Sequence, residues 1–457
     1  MSLSLHPRAR ERFNEIAESL VGMVEHHPKP DDETTPGPAS LEESKQPEIQ
    51  ESDIIDRGYE GEVNGLTGEE VARYFRLDGE RFGLVGEEYS QFDNLVERVA
   101  DRKEIENKIS RQFVRDKSFE WLKRCYTGNF SSIQYAEFIL SKAEEAIEVR
   151  RVHMPIQYLM VDETIKLGRV IISYLPQELF DGLEEHYERN LPNRLERVEE
   201  IRDKYQGQVT ASLEVEAEKQ KAVEIAKNEI EKTLAFLRFF SPSAILAEIP
   251  SRWNVMDKPA VVWTRFLVSS GEVFPDILKV NERYIGKKKS NMNKYWSIDN
   301  KQVRRFRELG IVHGHRTLLE EEPTAVDDLI TNCVLLFNKS LLEKERRDRL
   351  VFLLVCLETL LLKNSGEPIQ KSVGQRLAVI EEGRDVGERK EIIDLVKQMH
   401  SARSEYVHHG EQVDLEISVL SKFQRLVWQA VHHLMANRKK YDKKLEFIEE
   451  LETRLLS

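Results

Sequence analysis

The sequence predicts a mainly α, multidomain chain with a small mixed α/β middle section and a C-terminal helical bundle. Three observations carry this. Apolar residues recur at helical spacing from Leu66 to Ile147, Val209 to Ala217 alternates apolar and polar residues, and the chain beyond Leu341 carries apolar stripes at steps of three and four. The 457 residues are 40% hydrophobic, enough for two or three domains that each bury a core.

The first element is an amphipathic helix, Arg8 to Val24, within an N-terminal segment 1–27. It can pack back on its own chain or on a partner, and the intramolecular reading is favoured. Met1 to Phe13 is arginine-rich and lacks the apolar run of a secretory signal, so export is not expected. Residues 28–57 form an acidic, proline-rich stretch punctuated by Pro28, Pro30, Pro36, Pro38 and Pro47. With so few apolar residues to offset ordering entropy, it reads as a flexible linker.

Residues 58–150 read as a helical subdomain, through Phe92, Leu95 and Val96, then Ile105, Ile109 and Phe113, then Phe119, Leu122 and Cys125. The mixed region 151–340 holds a β-rich run from Val152 to Val161, the strand Val209 to Ala217, and a helix through Ala222, Ile225, Ile230, Leu234 and Leu237 that ends near Pro242. Trp263 to Val280 is ambiguous between strand and helix.

Residues 341–440 are the bundle, and 441–457 a charged final helix. The helix from Asp348 to Leu362 is apolar nearly all round, Glu388 to His409 is amphipathic, and Leu420, Phe423, Val427, Ala430 and Leu434 form a stripe. The apolar run from Leu350 to Leu362 contains Glu358 and falls short of the roughly twenty residues a membrane span needs. No membrane partner is predicted.

The chain carries 81 acidic against 68 basic residues, a formal charge of −13, which argues against a general nucleic-acid coat protein or a polybasic membrane binder. A local basic groove is compatible with that total. Cys125, Cys333 and Cys356 are scattered and odd in number, which predicts neither a disulfide framework nor a zinc cluster and fits a reducing cytoplasm. No metal or cofactor is expected.

The informative stretch is Met399-His-Ser-Ala-Arg-Ser-Glu-Tyr-Val-His-His-Gly410. Ile392, Val396, Met399 and Arg403 share one helical face, so Arg403 sits on a core-facing stripe and needs a carboxylate or a phosphate. Glu358, alone among apolar neighbours, poses the complementary problem. The two are predicted to face each other across the bundle, either as a pair that fixes helix register or as part of a site. Gly410 supplies a helix stop, which places His408 and His409 in the last turn, where exposed carbonyls favour an imidazolium. Arg403 and His408 are about 500° of rotation apart, so side-chain reach or a distorted last turn must bridge them.

Arg403-Ser-Glu-Tyr-Val-His408, followed by His409 and Gly410, resembles the arginine, four to six residues, histidine signature of the HEPN superfamily, in its Apea-like form. The resemblance covers about Leu341 to Leu434 and includes the Leu357-Glu-Thr-Leu-Leu-Leu helix and the Ser372-Val-Gly-Gln-Arg-Leu-Ala-Val-Ile380 helix. It implies a metal-independent endoribonuclease of an antiviral defence, toxin–antitoxin or stress system, working as a homodimer through the bundle. His408 would then move protons for attack of a ribose 2′-OH. Arg403 would stabilise charge on the phosphate, Glu358 would orient Arg403, and Ser404 could bond the scissile region. The family pattern favours His408, while a looser spacing count admits His409. The competing reading is a non-catalytic protein whose bundle dimerises or binds nucleotide or RNA without cleavage. The residues before the bundle carry no such resemblance and could sense a trigger, select RNA or hold the nuclease inactive, and a regulatory partner protein is possible.

A second candidate is the basic island from Arg283 to Arg307. Lys287, Lys288, Lys289, Lys294, Arg304 and Arg305 could meet phosphates, and Tyr295 and Trp296 could stack on bases of single-stranded RNA or tRNA, against the alternative of solvated loop charge. His313 and His315 would share one side of a strand like a metal pair, but no third ligand follows at a suitable spacing.

Overall fold

Most of the chain is helical because its apolar residues recur at helical spacing, and short sheets form where that spacing gives way. The structure is a computed structural model that describes residues 3–27, 59–63, 70–128, 133–190, 196–249, 254–255, 263–270, 273–282, 296–380, 386–409 and 415–456. Within these, the side chains of 59, 190, 197, 204, 408, 409 and the strands of 254–282 are outside the description. The linker 28–57 lies wholly outside the described residues. The chain divides into two compact units, one of residues 1–149 with 216–222, the other of 150–215 with 223–457.

In the first unit, helix α1 (Pro7–Val21) begins on a proline whose missing N–H costs nothing at that position, and the His6 ring accepts from the Arg8 amide. It is followed by β1 (Glu25–His26), β2 (Tyr59–Val63), β3 (Glu70–Leu77), β4 (Glu80–Val85), α2 (Gly86–Ala100), α3 (Arg111–Tyr126) and α4 (Tyr135–Ala146). The strands form an antiparallel sheet in the order β1-β4-β3-β2. Residues 58–150 are thus not purely helical. Asp78 and Gly79, at φ 51° and 90°, make the left-handed two-residue turn that closes the β3–β4 hairpin. Helix α1 packs on its own chain: Phe13, Ala17 and Leu20 join Phe75, Phe92 and Phe119 in one core. Each large apolar side chain so buried contributes roughly 1.5–3 kcal/mol.

The second unit opens with β5 (Glu148–Gln157), β6 (Leu159–Val161), β7 (Ile165–Leu167), β8 (Val170–Tyr174), α5 (Gln177–Asn190), α6 (Glu196–Tyr205), β9 (Val209–Ala217), α7 (Lys219–Phe239) and α8 (Pro242–Ile245). Then come β10 (Asn254–Val255), β11 (Trp263–Ser270), β12 (Val273–Glu282) and β13 (Trp296–Ile298). The described residues of the ambiguous segment 263–280 are therefore strands, β11 and β12, paired antiparallel. The sheet runs β12-β11-β5-β9-β8-β7, with β10 also on β5, while β13 pairs in parallel with β6.

Helices follow: α9 (Asn300–Glu308), α10 (Ile311–Leu318), α11 (Ala325–Leu342), α12 (Arg346–Leu361), α13 (Ile369–Ile380), α14 (Val386–His409), α15 (Ile417–Asn437) and α16 (Lys444–Leu456). His313 and His315 belong to a helix, not a strand, so two positions apart they diverge instead of sharing a side. Gly314 between them lets that helix approach α7: an added Cβ would lie 2.9 Å from Phe236 Cδ1 and 3.1 Å from Phe240 Cε2.

Helices α11 to α16 make the C-terminal bundle. Leu353, Leu354, Leu357 and Leu360 of α12 pack with Ile392, Val396 and Met399 of α14 and the α15 stripe, all inaccessible to solvent. Helix α11, which the 340/341 boundary sets apart, pairs with α12, where each of the thiols Cys333 and Cys356 donates to the other's carbonyl. Its start is fixed by a capping box between Thr324 and Asp327. The final helix α16 is tied in by Arg376, which donates to the Leu361 carbonyl at 2.6 Å, to both oxygens of Glu367, and to Glu452. That guanidinium holds the Glu367 carboxyl down to about 2. No helix among the described residues is long and apolar enough to cross a membrane.

Candidate functional site

Helix α12 is apolar on nearly every side, so Glu358 needs a partner, and α14 supplies it. Arg403 Nη1 donates to Glu358 Oε1 at 2.7 Å. The pair the sequence predicted from two isolated residues is present. Its setting is neither core nor open surface: the Arg403 side chain is 31% exposed and that of Glu358 19%. Among the described residues Arg403 has no other polar partner, so the donors not used by Glu358 remain available at a solvent-reachable edge of the bundle.

The same face of α14 carries two groups that sequence reasoning passed over. His400, one helical turn before Arg403, is buried, and its Nδ1 lies 3.9 Å from Glu358 Oε1. That distance is too long for a hydrogen bond. Burial first, and the Arg403 charge second, push its pKa down to about 4, so the ring is neutral at pH 7 and the contact is not an ion pair there. Its Nε2 has no partner among the described residues. Tyr406, one turn after Arg403, donates to Asp348 Oδ1 of α12 at 2.9 Å, and the Arg347 guanidinium lies 5.6 Å from its ring centroid. The bond to Asp348 raises the phenol's pKa. The spacing of three on either side of Arg403 was the available signal for both residues. What stood opposite them was not visible in a sequence.

Ser404 is exposed on α14. The backbone at His408 and His409 closes the helix, which stays regular to its end, so His408 departs from Arg403 about 140° around the axis. Their side chains, and Gly410, lie outside the described residues. The basic island is divided in the same way. Lys287, Lys288, Lys289, Lys294 and Tyr295 lie outside the described residues. Trp296 is a strand residue of β13 whose ring packs at 5.9 Å against Phe306, so part of its surface is engaged internally. Arg304 and Arg305 are exposed on α9, a helix rather than a loop, which packs on α10 and β13.

Among the described residues no group of three or more His, Cys, Asp or Glu side chains is arranged to hold a metal ion. Comparison with protein-family models, with curated proteins and with solved structures finds no match to this chain.

Proposed function

We propose that the C-terminal bundle is a HEPN-type endoribonuclease centre that cleaves RNA without a metal ion. The observation that carries the reading is the Glu358–Arg403 pair, in which a carboxylate fixes one edge of a guanidinium and leaves the rest of its fork facing solvent. A guanidinium so held is suited to the equatorial oxygens of a phosphate, because its orientation is set before substrate arrives.

In the reaction, the ribose 2′-OH attacks the adjacent phosphorus and the P–O5′ bond breaks, giving a 2′,3′-cyclic phosphate and a 5′-hydroxyl. His408 moves the proton between the attacking and leaving oxygens, and Arg403 neutralises the charge that builds on phosphorus. His409 is the alternative proton carrier, and Ser404 is a hydrogen-bonding group at the rim. The angular separation of Arg403 and His408 on a regular helix favours a cleft completed by a second copy, each contributing one motif.

The test is incubation of the purified chain with total RNA in EDTA, comparing wild type with Arg403→Ala, His408→Ala and His409→Ala. Cleavage lost in the first two variants with unchanged thermal melting supports the assignment. Loss only in His409→Ala reassigns the proton carrier. Cleavage that requires a divalent metal overturns the metal-free mechanism, and an Arg403→Ala variant that unfolds while RNA is never cut leaves the non-catalytic scaffold.

A further inference from the structure

One face of the sheet of the second unit carries three buried polar side chains, Thr210, Ser212 and His153. The register Ile171↔Ser212 and Ser173↔Thr210 puts Thr210 and Ser212 of β9 on one face, while Ile172, Ala211 and Leu213 fill the opposite, apolar one. Thr210 is inaccessible and is satisfied by the Ser173 carbonyl. His153 of β5 is only 3% exposed, and its Nδ1 lies 2.7 Å from Ser212 Oγ. Its Nε2 has no partner among the described residues. A buried ring nitrogen left unpaired costs on the order of 1–3 kcal/mol, and nothing in the packing of the sheet requires it.

His153 and Ser212 form part of the wall of a cleft of about 640 Å³. That is within the range of small-molecule sites and larger than a bare phosphate needs. Lys166, Arg169 and Arg151 border the cleft with one acid, Glu214. Arg151 pairs with Glu214, Arg169 Nη2 donates to the Glu214 carbonyl at 3.1 Å, and Lys166 has no carboxylate partner among the described residues. Among the described residues of the wall, three cations stand against one anion, in a chain whose total is −13. The remaining wall includes Tyr174, Leu175 and Leu319.

We infer that this cleft binds a small organic phosphate of nucleoside-monophosphate size, its phosphate met by Lys166 and Arg169 with Ser212 beside them, and its ring body by Tyr174 and the leucines. The excess of charge matches a dianion, and the volume and apolar wall match a body attached to it. Burial, reinforced by the Arg151 charge, lowers the His153 pKa to about 4, so the ring is neutral at pH 7. This site is separate from the Glu358–Arg403 pair and does not depend on the nuclease reading.

Calorimetric titration of the full chain with adenosine, uridine, guanosine and cytidine 5′-monophosphates, with the bare nucleosides and with inorganic phosphate tests the inference. Saturable binding of at least one nucleotide is expected, with its nucleoside and inorganic phosphate each at least tenfold weaker. The double variant Lys166→Ala/Arg169→Ala, which alters exposed side chains only, should weaken it at least tenfold, and Ser212→Ala should weaken it without unfolding the chain. RNA cleavage should be unchanged in the double variant. No saturable binding by any nucleotide, inorganic phosphate binding as tightly as nucleotides, or affinity undiminished in the double variant would each overturn the inference.

Discussion

Replacing Glu358 by glutamine removes a charge while keeping shape, which isolates what the carboxylate does for Arg403. The pair is joined at 2.7 Å, with side-chain exposures of 31% and 19%, so its energy falls between two regimes. Fully exposed pairs are worth about 0–1 kcal/mol, and breaking fully buried ones costs about 3–5 kcal/mol. Glu358→Gln should therefore cost about 1–2 kcal/mol, because the stranded guanidinium still reaches water. A double-mutant cycle of Glu358→Gln with Arg403→Gln, read by urea unfolding, should give a coupling of roughly 1 kcal/mol. Activity should fall further than stability, since a phosphate-binding group displaced by about 1 Å can lose on the order of 100-fold in rate. A coupling indistinguishable from zero would refute the pairing, and full RNA cleavage by Glu358→Gln would refute the orienting role.

Four further outcomes follow from the packing and the titrating groups. Arg376→Ala removes the two-pronged partner of Glu367 and leaves Glu452 of α16 with Lys363 alone; a cost of about 2–3 kcal/mol in urea unfolding is expected, below the fully buried limit because both carboxylates reach solvent. The carboxyl of Glu367, held near 2 against an unfolded value of about 4.5, contributes stability that is complete above pH 4.5 and disappears as pH falls toward 2, so Glu367→Gln should flatten the acid limb of the stability profile. Acidification also acts through His153. Its folded pKa of about 4 lies below the unfolded value near 6.5, so the unfolded chain takes up the proton first, and stability of the second unit should drop by about 2 kcal/mol between pH 7 and pH 5. His400 works in the same direction. Gly314→Ala should destabilise by about 1–2 kcal/mol in thermal melting, since overpacking against Phe236 and Phe240 outweighs the roughly 1 kcal/mol gained in helix propensity.

What the sequence revealed depended on whether the physical cause was local. Val209 to Ala217 alternates because one face of β9 meets the core, and its limits were readable to the residue. Helices α12, α14 and α15 were legible because each buries a stripe or is apolar nearly all round. The β3–β4 hairpin was passed over because Ala72, Arg73, Tyr74 and Phe75 are buried in succession, which erases the two-residue period. Arg73 is held there by Glu70 of its own strand and by Asp116 of α3, a partner invisible in the local sequence, though the Asp78-Gly79 turn was a local signal. In the candidate site, Arg403 and Glu358 betrayed each other by being charged in apolar surroundings. His400 and Tyr406 did not, since a histidine and a tyrosine at helical spacing are ordinary until α12 is set opposite them.

The most direct measurement concerns the ends left on the RNA. An RNA and its fully 2′-O-methylated counterpart would be incubated with the chain in EDTA, and the products analysed by mass spectrometry. Fragments ending in 2′,3′-cyclic phosphate and 5′-hydroxyl are expected from the RNA, and none from the methylated strand. Fragments carrying 5′-phosphates, or cutting of the methylated strand, would contradict cleavage by 2′-OH attack.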